Sequence, residues 1–115
     1  APPQVTVTEM TAAPGSIMLG DSVELSARIV SQARNPQSLV VDYVARFLRA
    51  NGSYSEKVFK GTKVSLAAGE AIVFRRRMPV KPITTRRYYS GPQRVSLRIN
   101  GVDFDTSEFI LTVPA

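Results

Sequence analysis

The alternation of apolar and polar residues is the feature that most constrains the fold of this chain. In the clearest example, the apolar residues at every second position from Val23 to Ile29 are separated by polar ones. A period of two places the two sets of side chains on opposite faces of a β-strand. A helical period of 3.6 residues is not convincing anywhere in the chain, so the sequence predicts an all-β fold.

Seven segments show this strand pattern, and residues typical of turns separate them. They begin near Val5, Val23, Leu39, Lys57, Ala71, Val95 and Val102. The dipeptides Asn51-Gly52 and Asn100-Gly101 predict hairpins, and the prolines and glycine between residues 79 and 92 predict an irregular loop. A bulge or a bend is expected at Gly61, and a bulge is expected between Asp105 and Ser107.

Without helices to cover a single sheet, these strands must bury their apolar faces against each other. We therefore predict an immunoglobulin-like β-sandwich of about seven antiparallel strands. A length of 115 residues suits a single domain, and we expect this domain to span residues 1–115. The proline-rich residues 1–4 are interpreted as the remnant of an interdomain linker.

Composition excludes several kinds of chemistry. The chain has no cysteine and no histidine, which removes disulfides, thiolate nucleophiles, the usual zinc ligands and histidine general bases. Asp103 and Asp105 alternate on one strand and could contribute to a cation site, but the spacing of a calcium loop is missing, which favours solvated strand residues. No apolar run approaches the roughly 20 residues that cross a bilayer. We predict a noncatalytic domain with no cofactor, no metal and no membrane contact.

Positive charge is concentrated in one segment. The chain has 15 Lys and Arg residues against nine Asp and Glu, and the segment from residue 75 to residue 98 contains eight cations and no carboxylate. Tyr88 and Tyr89 adjoin Arg86 and Arg87, and nucleic acid binding combines phosphate contacts with aromatic stacking in this way. The seven candidate ligands for the DNA phosphate backbone are Arg75, Arg77, Lys81, Arg86, Arg87, Arg94 and Arg98.

The alternative interpretation is that these arginines form a solvated surface or pack against a neighbouring domain. The alternation of the strand predicts which of these arginines point to the solvent, and the structure can test that prediction. Arg75 and Arg77 alternate with Phe74 and should point outward, whereas Arg76 has the inward parity and must lie at a strand end or be paired. One tyrosine of the adjacent pair is expected to belong to the core.

The basic loop reads I-T-T-R-R-Y-Y-x-G over residues 83–91, and further strings lie at residues 41–52, 57–60, 66–70 and 99–101. Over residues 40–113 the chain resembles the C-terminal region of bacterial DNA alkylation repair proteins. In those proteins a HEAT-like helical repeat domain, related to the alkylpurine DNA glycosylases, precedes a small β-domain. The resemblance implies a cytoplasmic bacterial protein whose catalytic residues lie in the helical domain and not in this chain.

Two functions from different classes stay open. In the first, the chain is a noncatalytic accessory domain of a DNA alkylation repair-type protein and assists DNA binding through its basic face. In the second, it is a structural or protein-interaction sandwich that docks on an N-terminal helical repeat domain of the same protein, or on another partner, with no nucleic-acid role. A third hypothesis is a periplasmic module of the adhesion kind.

Overall fold

The computed structural model describes residues 2–115, which form two β-sheets packed face to face. The strands are β1 (Val5–Ala13), β2 (Ser16–Met18), β3 (Ser22–Ser31), β4 (Gln37–Leu48), β5 (Tyr54–Leu66), β6 (Ala71–Pro79), β7 (Gly91–Ile99) and β8 (Val102–Thr112). The predicted all-β sandwich is confirmed. Ala1, the first residue of the predicted linker, lies outside the described residues, and Gln4 is hydrogen-bonded to Gln37 on β4.

The strand count and the pairing differ from the prediction in one respect. The eighth strand is β2, and it pairs in parallel with β8. Three residues are too few to show an alternation pattern, and β2 buries only the side chain of Ile17. The sequence pattern therefore predicts no strand between β1 and β3.

The chain passes repeatedly between the two sheets. One sheet has the strand order β1-β3-β6 and the other has the order β2-β8-β7-β4-β5. The consecutive strands β6 and β7 therefore lie in opposite sheets, and a loop of residues 80–90 joins them. The strands at the open edges on one side of the sandwich are β5 and β6, and this arrangement determines which cations can lie together.

The core lies between the sheets and is built from the predicted inward faces. The apolar residues from Val23 to Ile29 on β3 are almost completely buried, as are Leu97 on β7 and Phe109 on β8. Burying a large apolar side chain contributes about 1.5–3 kcal/mol relative to leaving it exposed. These contacts hold the sheets together and direct the polar residues of each strand to the two outer surfaces.

Both predicted bulges are present. The β4–β5 register shifts between Val41 and Asp42, opposite Gly61. A Cβ atom on Gly61 would overlap the carbonyl oxygen of Val41 and approach the ring of Phe74, so the close approach of β5 to β4 at the bulge requires glycine there. The second bulge shifts the β7–β8 register and gives Asp105 a φ of 50°.

Candidate nucleic-acid interface

The basic segment does not form one surface, because β6 and β7 belong to different sheets. Arg75 and Arg77 point away from the core on the three-stranded sheet. Arg94 and Arg98 lie on the outer surface of the five-stranded sheet. The structure thus separates the seven sequence candidates into two strand pairs and a loop group of Lys81, Arg86 and Arg87.

The outer surface of the three-stranded sheet gains a cation that the sequence analysis missed. Arg28 on β3 lies opposite Val73, so it is a diagonal neighbour of Arg75, which is itself opposite Ser26. We call Arg28, Arg75 and Arg77 the arginine face. Arg28 has outward parity in the clearest predicted strand, but only the pairing of β3 with β6 reveals that it belongs beside residues nearly fifty positions away.

The arginine face is free of ion pairs. Among residues 2–115, no carboxylate oxygen lies within 4.0 Å of the Arg28, Arg75 or Arg77 guanidinium groups. Glu24 is the register partner of Arg77, yet it forms no salt bridge with it. All three arginines are exposed. Their donors are therefore available for an anionic ligand.

The arginines of the five-stranded sheet are engaged in an ion-pair network. Arg98 Nε lies 2.6 Å from Asp103 Oδ1, and Arg98 Nη2 lies 3.1 Å from Glu56. Arg46 Nη2 contacts the same two carboxylates at 2.7 Å and 3.3 Å. Arg94 pairs separately with Glu108 at 3.2 Å. Three carboxylates therefore offset the charge of the three arginines on this surface.

The ion-pair network changes the acidity of its members. The hydrogen bond from Arg98 holds the pKa of Asp103 below its ordinary value, and a further hydrogen bond from Arg46 acts in the same direction against the opposing effect of burial. The hydrogen bond to Asp103 raises the pKa of Arg98 in turn. Both groups are held in their charged forms, as expected for a stabilising pair.

Arg76 is paired, in agreement with its inward parity. Its Nη1 and Nη2 groups donate to the carbonyl oxygens of Arg75 at 2.8 Å and Gly61 at 3.3 Å. The guanidinium carbon also lies 4.8 Å from the ring centroid of Phe74. Arg76 thus bridges β6 and β5 across the open side of the sandwich and is a structural residue.

The loop group divides further. Lys81 and Arg87 are exposed, and Arg87 lies over the ring of Tyr89 at 5.5 Å. Arg86 is half-buried and lies 4.4 Å from the ring centroid of Phe47. Tyr88 packs against the core and meets Phe47 edge to face at 5.4 Å, so it is the core tyrosine of the adjacent pair.

The part of the chain that the structure describes contains neither a candidate metal site nor a membrane-spanning helix. No group of three or more His, Cys, Asp or Glu residues in residues 2–115 is placed to hold a metal ion. Asp103, one of the two residues considered for a cation site together with Asp105, is instead in the ion-pair network. The same residues contain no helix that is long and apolar enough to cross a membrane.

Two bacterial proteins are similar to nearly the whole chain. The alkylpurine DNA glycosylase AlkC of Pseudomonas fluorescens, in a structure bound to DNA containing an abasic site analog, is 35% identical with a TM-score of 0.92, and the match covers 97% of this chain and 31% of that one. The uncharacterized protein YhaZ of Bacillus subtilis is 31% identical over 105 residues, which are 91% of this chain and 29% of that protein. This chain therefore spans less than a third of the length of either.

A more distant likeness concerns the fold alone. A β-glucosidase from Listeria innocua contains a region that superposes on 96% of this chain with a TM-score of 0.71, at 16% identity. The family model described as the C-terminal Ig-like domain of the uncharacterised protein YhaZ matches residues 6–113. The chain therefore belongs to the family of YhaZ C-terminal Ig-like domains, and its sandwich is of the immunoglobulin-like kind.

Proposed function

We propose that this chain is a noncatalytic accessory domain of a cytoplasmic DNA-repair protein, and that it holds duplex DNA through phosphate contacts. The observation that carries the proposal is the arginine face, whose three guanidinium groups have no carboxylate partner among the described residues. The ligand is suggested by the 35% identity to a glycosylase that was captured on DNA. Catalysis and the helical repeat domain would belong to the remainder of the full-length protein.

The contacts we propose are made by Arg28, Arg75 and Arg77, and the exposed loop residue Arg87 is a further candidate. Guanidinium groups bind phosphate oxygens in a bidentate manner. Side chains on one face of a strand recur about every 6.7 Å, so Arg75 and Arg77 can contact separate phosphates. Such contacts position a duplex without reading its sequence. Covalent linkage to a second DNA-binding domain then raises the local concentration of DNA at both surfaces.

Arg94 and Arg98 are not included in the proposed interface. They lie on the opposite outer surface and are paired with Glu108, and with Asp103 and Glu56, respectively. A phosphate would have to displace these carboxylates to bind there. The separation provides a matched control, since residues from one basic segment can be replaced on either surface.

The test is a titration of a fluorescently labelled duplex with the domain at about 50 mM and about 200 mM salt. Removing two phosphate contacts should lower the slope of log K against log salt by about 1.8. We expect the double variant Arg75→Ala, Arg77→Ala to show this change and to bind at least about tenfold more weakly at the lower salt. The control Arg94→Ala, Arg98→Ala removes the same charge from the other outer surface and should keep both the slope and the affinity.

Equal weakening by the two variants would contradict the proposal, because it would show that general charge and not the arginine face carries the binding. Association that does not change with salt would contradict it as well. Absence of DNA binding by the intact domain would favour the second hypothesis, a sandwich that docks only on protein.

A further inference from the structure

A cleft of about 200 Å³ lies between β5 and the loop of residues 80–90, and the proposed function leaves it unused. Its apolar lining includes Phe47, Phe59, Ile83 and Tyr88. Ile83 is 43% exposed at the rim. An isolated bridge between Ile83 and Arg86 fixes the loop at this point. The cleft is thus a defined apolar pocket with room for one aliphatic side chain.

Cations surround this apolar pocket. Lys57, Lys81 and Arg86 line it, and no carboxylate does so within residues 2–115. The Arg86 guanidinium is held over the Phe47 ring, and Lys57 Nζ lies 5.3 Å from the ring centroid of Phe59. The aromatic rings fix the positions of these cations, whose remaining donors are left for a ligand. The occupant should therefore combine an apolar group with negative charge.

The aromatic rings are already engaged, which disfavours a nucleobase as the occupant. Phe59 stacks on Tyr43 at 4.9 Å with an interplanar angle of 6°, and it also contacts the Lys57 ammonium group. The ring of Phe47 is in contact with Arg86 and with the edge of Tyr88. A base that stacked here would have to displace these groups, since stacking requires a free ring face. Intact duplex DNA offers phosphates but no apolar group of matching shape.

The cleft adjoins the free edge of the five-stranded sheet. β5 is the last strand of that sheet, and its backbone groups that point away from β4 have no strand partner in the described structure. An extended peptide can add to such an edge and place alternate side chains into neighbouring pockets. Lys57 and Lys60 make the part of this edge beside the cleft basic. They would repel a second copy of the same strand and favour an acidic one.

We propose that the cleft and the edge of β5 dock an extended acidic segment of a partner protein. One aliphatic side chain of that segment occupies the pocket, and its carboxylates face Lys57, Lys81 and Arg86. Its main chain pairs with β5. This site is distinct from the arginine face, so it does not depend on DNA binding by the domain.

The probe for this docking site is the synthetic peptide acetyl-Glu-Asp-Leu-Asp-Glu-amide, added to the isotope-labelled domain and followed by amide NMR. We expect shifts confined to residues 54–60 and 79–88, and a loss of these shifts when glycine replaces leucine in the peptide. The variant Lys57→Glu should weaken binding at least about tenfold because it places a carboxylate beside the peptide's own. The control Lys63→Glu makes the same charge change on β5 outside the cleft and should weaken binding less than about threefold.

Four results would overturn the proposal. These are the absence of shifts at about 5 mM peptide, shifts that map outside the cleft, unchanged binding of the glycine peptide, and equal weakening by the two lysine variants. A phosphorylated thymidine hexanucleotide serves as the competing probe. Stronger shifts of the cleft residues by this oligonucleotide than by the peptide would assign the site to nucleic acid and would also overturn the proposal.

Discussion

The two outer surfaces of the sandwich each carry three arginines but differ in what faces them. On the five-stranded sheet, Arg46, Arg94 and Arg98 are all paired with carboxylates. On the three-stranded sheet, the arginine face has no such partner among residues 2–115. The number of arginines is the same, so the two surfaces differ in whether carboxylates contact the arginines: Glu108 pairs with Arg94 opposite it, whereas Glu24 lies opposite Arg77 and forms no salt bridge with it.

The difference cannot be traced to neighbours along the chain. Arg94 and Arg98 lie in a segment without any acidic residue, yet they are the paired arginines. Their carboxylates come from β5 and β8, which flank the central strands of the same sheet. A surplus of charge in the sequence therefore predicts a basic surface only when the strands involved share a face.

The largest change in the difference between the two surfaces is expected when the carboxylates of the ion-pair network are removed. The double variant Glu56→Gln, Asp103→Asn leaves Arg46 and Arg98 without anionic partners. A second basic surface should result, with affinity for duplex DNA raised roughly tenfold at low salt and a salt slope steeper by up to about 1.8. The duplex titration at two salt concentrations measures both quantities.

The matched control for this gain is the double variant Glu70→Gln, Asp105→Asn. It makes the same change in net charge, but neither carboxylate is paired with an arginine. Asparagine also suits the positive φ of Asp105. We expect its affinity to rise less than about threefold. A similar gain in both variants would show that pairing does not control the accessibility of the arginines.

A smaller effect is expected on stability. Arg98→Ala removes contacts to two carboxylates and leaves them beside each other, and ion pairs at partly exposed positions contribute up to about 1 kcal/mol. We therefore expect the free energy of unfolding to fall by about 1 kcal/mol. Arg75→Ala should change it by less than about 0.5 kcal/mol, as is usual for unpaired surface residues. Urea unfolding of the two variants measures the difference, and equal losses would contradict the assignment of roles.

Much of the fold could be predicted from the sequence because local patterns determine it. The alternation from Val23 to Ile29, the Asn100-Gly101 hairpin and the bulge at Gly61 each depend on a few adjacent residues, and all three are present. Strand β2 could not be predicted, since three residues carry no period. Its parallel pairing with β8 joins segments more than ninety residues apart.

The candidate site was less predictable than the fold. The parity of β6 correctly separated Arg75 and Arg77 from Arg76. Parity does not say which sheet a strand joins, so it could not place Arg94 on the surface opposite to Arg75. For the same reason, Lys57 could not be connected with Arg86 at the cleft. Long-range strand order carries this information, and no local pattern encodes it.

The smallest expected effect is a pH dependence of the free energy of unfolding, which should arise from the ion-pair network and not from the arginine face. In the folded chain, Arg98 holds the pKa of Asp103 below its ordinary value. In the unfolded chain, the pKa of an aspartate is about 3.9. The stability that Asp103 contributes is therefore fully present above about pH 4, and it is lost as the pH falls through the lowered folded value. Asp103→Asn should be less stable than the parent at pH 6, and the gap should close on acidification. Urea midpoints between about pH 6 and pH 2 test this, and a gap that persists at the acid end would show that Asp103 acts through packing rather than through its charge.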